Sequence, residues 1–82
     1  MAAHTVMIRR CFWGLEFRAA AKRLRKALIM RGLDPQMGWS SGNMEVNVNG
    51  YKVYSYKDEK ALPDDNTLIN RVRAKVWESR SF

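Results

Sequence analysis

The chain has one cysteine, one histidine, two prolines and five glycines among 82 residues, and each scarcity excludes something. The single thiol, Cys11, rules out an intrachain disulfide framework and any zinc site built from several cysteines. His4 alone cannot supply a histidine pair, so no metal centre is expected. There is no Gly-rich phosphate loop, no Ser-His-Asp set beyond coincidence and no helix-turn-helix pairing. No run of about 18 apolar residues occurs, which leaves no membrane span to expect. The stretch Ala2 to Ile8, broken at once by Arg9 and Arg10, is too short for a signal-peptide apolar region, so the expected compartment is the cytoplasm. What remains, 46% hydrophobic and 28% charged residues, is the balance of a folded chain. Its length suits one domain, 1–82, with a core over about 5–77.

Acidic residues are the other scarcity, and it is local. Residues 1–32 carry eight Lys/Arg against Glu16 alone, which accounts for the whole net charge of +7; residues 33–82 carry seven of each sign. A one-sided positive field gathers anionic partners, whether phosphate backbone, lipid headgroups or an acidic protein face.

Thr5 to Arg10 is β-branched and apolar enough for a short strand, and Gly14 punctuates the loop after it. From Glu16 the spacing turns helical. Phe17, Ala20, Ala21, Leu24, Ala27 and Leu28 recur at steps of three and four, with Arg18, Lys22, Arg25 and Lys26 opposite, and the pattern stops at Gly32. Residues 33–39 have room for an edge strand. Met44, Val46 and Val48 then alternate with Glu45 and Asn47, Asn49-Gly50 suits a type I′ turn, and the alternation resumes from Tyr51. A two-residue loop predicts that Met44, Val46 and Val48 share a face with Tyr51, Val53 and Ser55. Asp58 to Leu62 reads as a polar connection, and Leu68, Ile69, Val72 and Val76 space out a second helix over 65–77. The right-handed crossover rule suggests strand 5–11 pairing in parallel with strand 43–48, both helices on one sheet face.

The run Gly42 to Lys57 resembles the hairpin of the Rdx family, the thioredoxin-like group that includes selenoproteins W, T and H. That pattern has a glycine, an aromatic-Glu-Val/Ile-x-Val/Ile strand, a glycine turn, an apolar residue, then Ser and Lys. Leu62-Pro63 followed by Leu68-Ile69 and a basic helix resembles the family's last helix, so the likeness covers roughly residues 5–77. It implies a small α/β, thioredoxin-like β-α-β-β-α sandwich with a mixed sheet. It also places Cys11 where the family keeps a Cys-x-x-Cys or Cys-x-x-selenocysteine motif. Here the position of the second thiol or selenol is Gly14, and Met44 stands where the family has an aromatic residue. Without a resolving thiol, the mixed disulfide formed by the first sulfur has no internal exit, so the expectation leans away from an enzyme.

Two functional surfaces follow. One is Cys11 with Phe12 and Trp13 as a docking loop: a monothiol redox adaptor or protein-interaction module, with no resident cofactor and glutathione as a conceivable thiol co-substrate. The other is the basic helix face of Arg18, Lys22, Arg25 and Lys26, a non-enzymatic binder or inhibitor for an acidic protein or nucleic acid. Lys52, Tyr54 and Tyr56 on the hairpin offer a third candidate, because aromatics interleaved with lysines make single-strand stacking platforms.

Overall fold

A computed structural model describes residues 5–11 and 14–80. Its elements are β1 (Val6–Arg10), α1 (Leu15–Ile29), β2 (Pro35–Trp39), β3 (Glu45–Val48), β4 (Tyr51–Ser55), the single turn α2 (Tyr56–Glu59) and α3 (Asp65–Arg80). The four strands form one mixed sheet in the order β2-β1-β3-β4.

The pairing of β1 differs from the sequence expectation. β1 runs parallel to β2 and antiparallel to β3. The expected parallel pairing with 43–48 therefore fails, because the short edge strand after α1 takes the crossover partnership instead. The opposite side of β1 remains open to the hairpin strand, whose direction is then fixed by Asn49. The Asn49 amide donates to the Thr5 carbonyl at 2.7 Å and its Oδ1 accepts from the Thr5 amide at 2.9 Å, latching the turn to the start of β1. Asn49 and Gly50 have φ of 51° and 85°, the positive pair that a type I′ turn requires.

Both helices lie on one side of the sheet and share one core. Val6, Ile8, Val46, Val48 and Tyr54 meet Ala20, Ala21, Leu24 and Leu28 of α1 and Leu68, Ile69, Val72 and Val76 of α3. The three- and four-residue spacing that marks these helices in the sequence is the spacing that puts those side chains inside. The other sheet face, with Met7, Arg9, Glu45, Asn47 and Lys52, carries the polar half of the alternation. α1 ends where Gly32, at φ 81°, lets the Leu33 amide reach back to the Leu28 carbonyl at 3.0 Å.

The hairpin register also departs from simple alternation. Val48 faces Tyr51 and Asn47 faces Lys52, but Val46 faces Tyr54, so Val53 is a bulge residue and Tyr54 takes the core position. Of the expected core face, Tyr51 pairs with Val48 but is largely exposed, Val53 is only partly buried against the core, and Ser55, opposite Glu45 beyond the bulge, is buried where it bonds Asn43. Tyr54, 1% exposed, donates its hydroxyl to the Ala61 carbonyl at 2.7 Å. The segment expected to be plain connection contains α2, closed by Lys60 at φ 56° with its amide on the Tyr56 carbonyl.

Candidate functional site

Cys11 directly follows β1 and is buried, with 5% of its surface exposed. Phe12 and Trp13, expected to form a docking loop with it, lie outside the described residues. Gly14 is the N-cap of α1 with an extended backbone, and its carbonyl accepts from the Arg18 amide at 2.9 Å. A Cβ placed on Gly14 would lie 2.6 Å from Cδ2 of Phe17. That ring packs edge-on against Tyr56, with centroids 4.8 Å apart. The space a second sulfur would need at position 14 is thus taken by an aromatic ring. Cys11 stands between the end of β1 and the start of α1 in the chain, and it is covered there.

The basic face is the most open candidate. Arg18, Lys22, Arg25 and Lys26 are all exposed on α1, one helical face at steps of four, three and one. Among the described residues none of the four pairs with an acid. The neighbouring cation Arg23 is used structurally, bonding Asp65 at 2.8 Å and tying α1 to the first turn of α3.

The hairpin platform is not assembled. Tyr54 is inside the core, and Tyr56 is half-buried against Phe17. Lys52 is held by Asp58 at 2.8 Å, and that hydrogen bond raises its pKa. Tyr54 is instead a packing residue. Burial, reinforced by the negative charge of Glu59, pushes its phenol up to about 12.

One surface escaped the sequence reading. At the end of β1 and β2 a pocket of about 220 Å³ is lined by Arg10, Met37, Gly38 and Trp39. The available signal was Trp39, a large aromatic in a short strand without charge. Among the described residues no group of three or more His, Cys, Asp or Glu side chains could hold a metal ion, and no helix is long and apolar enough to cross a membrane.

This order of elements and this mixed sheet define a small thioredoxin-like α/β domain. The chain shares its fold with a selenoprotein W-related protein from Vibrio cholerae, with a TM-score of 0.74 at 18% identity, over 92% of this chain and 99% of that one. A protein from Bordetella parapertussis is similar to the same degree, with a TM-score of 0.73 at 17% identity, over 90% and 99% of the two chains. Neither a family model nor a curated protein sequence matches the chain.

Proposed function

We propose that this chain is an Rdx-family domain that works as a binding module for an acidic protein surface, through Arg18, Lys22, Arg25 and Lys26, and not as a dithiol oxidoreductase. The observation that carries the reading is the contrast between these four cations, exposed and, among the described residues, without acidic partners, and Cys11, which is buried and is followed three residues on by Gly14, whose side-chain space Phe17 occupies. A surface helix ordinarily mixes signs for solubility. The withdrawal of Tyr54 and Tyr56 from the surface takes apart the hairpin platform on which single-stranded nucleic acid would stack, which favours a protein as the partner of the basic face.

Titration with polyglutamate, followed by a parallel titration with a single-stranded oligonucleotide, tests this. Polyglutamate should bind, and Arg18→Glu, Lys22→Glu and Arg25→Glu together should abolish it while Cys11→Ser leaves it intact. Tighter binding of the oligonucleotide, with a log–log salt slope of about −0.7 per phosphate contact, would move the assignment to nucleic acid.

A second reading rests on the strand-end position of Cys11. Its thiolate would attack glutathione disulfide, forming a Cys11–glutathione disulfide and expelling one glutathione thiolate; an external thiol would then reverse the step. This requires the covering of Cys11 to open. A glutathione mass adduct formed by the folded protein, and absent in Cys11→Ser, is the expected sign; adduct formation only in denaturant removes the reading.

A further inference from the structure

The two edges of the sheet are treated differently. At β4 the edge is guarded: Val53 bulges, Lys52 pairs with Asp58, and Arg71 reaches over the edge to the Val53 carbonyl at 3.4 Å while bonding Glu59 at 2.6 Å. Charges, bulges and covering side chains are the usual means of keeping another chain off a sheet edge. Among the described residues β2 has none of these three, and its one edge device is Pro35 at its start. Its sequence, Pro-Gln-Met-Gly-Trp, holds no charge, and its ladder to β1 runs without a bulge.

The direction of its main chain is fixed by one bond. The Ser40 amide donates to the Arg10 carbonyl at 3.1 Å, so Ser40, Gly38 and Gln36 turn their amides toward β1, and strand alternation turns the amide and carbonyl of Met37 outward. Met37 and Trp39 are 43% and 66% exposed, and register places them beside Ile8 and Arg10 on the helix-facing side. The pocket that Arg10 lines with them opens there. On the opposite face Arg9 lies over Gly38, its Cγ 3.3 Å from where a Cβ would be. Among the described residues neither Arg9 nor Arg10 makes an ion pair.

We propose that β2 is the docking edge for an extended, acidic segment of a partner polypeptide, which adds as a fifth strand. It bonds the outward amide and carbonyl of Met37, rests an apolar side chain on Met37 and Trp39, and sets a carboxylate against Arg10. Main-chain pairing supplies the affinity and the pocket and arginine the selection, as in other strand-addition complexes. A second copy of this chain is the poorer occupant. Each copy brings a net charge of +7, and Arg9 and Arg10 would stand at both sides of such an interface.

The probe is a synthetic peptide of alternating glutamate and valine, about ten residues long, the length of a long strand. Exchange of the Met37 amide with solvent is read by NMR on the full chain. The amide should exchange rapidly alone and at least tenfold more slowly with the peptide. N-methylation of the peptide's alternate amides should abolish the protection without any change to the protein. A lysine–valine peptide should give none, and Arg10→Glu should weaken binding at least tenfold with its circular dichroism unchanged. Binding without protection of Met37, equal protection by the lysine or N-methylated peptide, absence of binding, or protection that rises with protein concentration alone would each overturn the proposal, the last by assigning the edge to a second copy. The triple reversal on α1 should leave the protection in place, so this edge and the basic helix face fail separately.

Discussion

Gly14→Ser sets two local preferences against each other. Serine is among the better N-cap residues, and the φ of −82° at this position suits any L residue. Cap chemistry and lost unfolded-state freedom therefore favour the substitution by roughly 0.5–1 kcal/mol. Its Cβ, however, would sit 2.6 Å from Cδ2, 3.1 Å from Cγ and 3.3 Å from Cε2 of Phe17. The ring must turn away. Doing so forfeits the edge contact with Tyr56, about 0.5–1.5 kcal/mol, and drives Phe17 off its rotamer for a similar amount, about 0.5–1.5 kcal/mol. The net expectation is a loss of about 1 kcal/mol in the native background and a gain of about 0.5–1 kcal/mol in a Phe17→Ala background, where the obstruction is gone. Urea unfolding of the four proteins in this cycle reads the difference; with a slope of about 1 kcal/mol per molar for so short a chain, the midpoint moves by roughly 1 M in opposite directions. If the serine stabilises the native background, or destabilises both backgrounds alike, Phe17 does not occupy the space of a second thiol and the structural argument against a dithiol site fails.

Asn43 is buried, with its Nδ2 donating to Ser55 Oγ at 3.1 Å and its Oδ1 accepting from the Lys57 amide at 2.8 Å, so Asn43→Ala should cost about 2–3 kcal/mol in the same unfolding assay, well beyond a neutral surface change. Tyr54→Phe should lose about 1 kcal/mol with the bond to Ala61. Because the folded phenol holds its proton up to about 12, above its ordinary value of 10.0, the stability linked to it is complete below pH 10 and is lost as pH rises through 12; a thermal scan against pH should show that alkaline fall in the parent and a shallower one in Tyr54→Phe. Asp64 is lowered by hydrogen bonds from Thr67, whose hydroxyl and amide both reach its Oδ1, so the stability it lends to the start of α3 is present above its ordinary pKa and lost as pH falls through the lowered one; Asp64→Ala should flatten that acid-side decline.

The helices and the hairpin were legible because each is set by local rules. Leu68, Ile69, Val72 and Val76 all go inside as their spacing requires, and Asn49-Gly50 turns with the positive φ expected of it. Strand order is not local. The crossover rule needs a partner for β1, and a five-residue strand starting with proline and carrying glycine gives too weak an alternation to be preferred over 43–48. The bulge at Val53 was hidden for a related reason: one extra residue reverses the face of everything beyond it, and an alternating run of Tyr, Val and Tyr reads equally well in either phase. That single residue decides the hairpin candidate, since it sends Tyr54 into the core. The basic face of α1 was legible because exposure of long cations follows from helical spacing alone. The orientation of Cys11, one residue past the end of β1, hung on a parity that only the packed structure supplies.

The latch between Asn49 and Thr5 joins residues 44 apart in the chain, and it has a consequence for the order of folding. β1 is one of the two inner strands but precedes the other three in the chain, and the residues it needs on its β3 side leave the ribosome roughly forty residues later, a wait of about 2–8 s at ordinary translation speed. For most of that interval Val6 and Ile8 have no sheet to enter, since β2 too lies beyond α1 in the chain. The hairpin, made of neighbours, can close within microseconds of its synthesis. It then presents a finished turn, with the Asn49 side chain and main chain placed to meet Thr5, as a template onto which the waiting strand can dock.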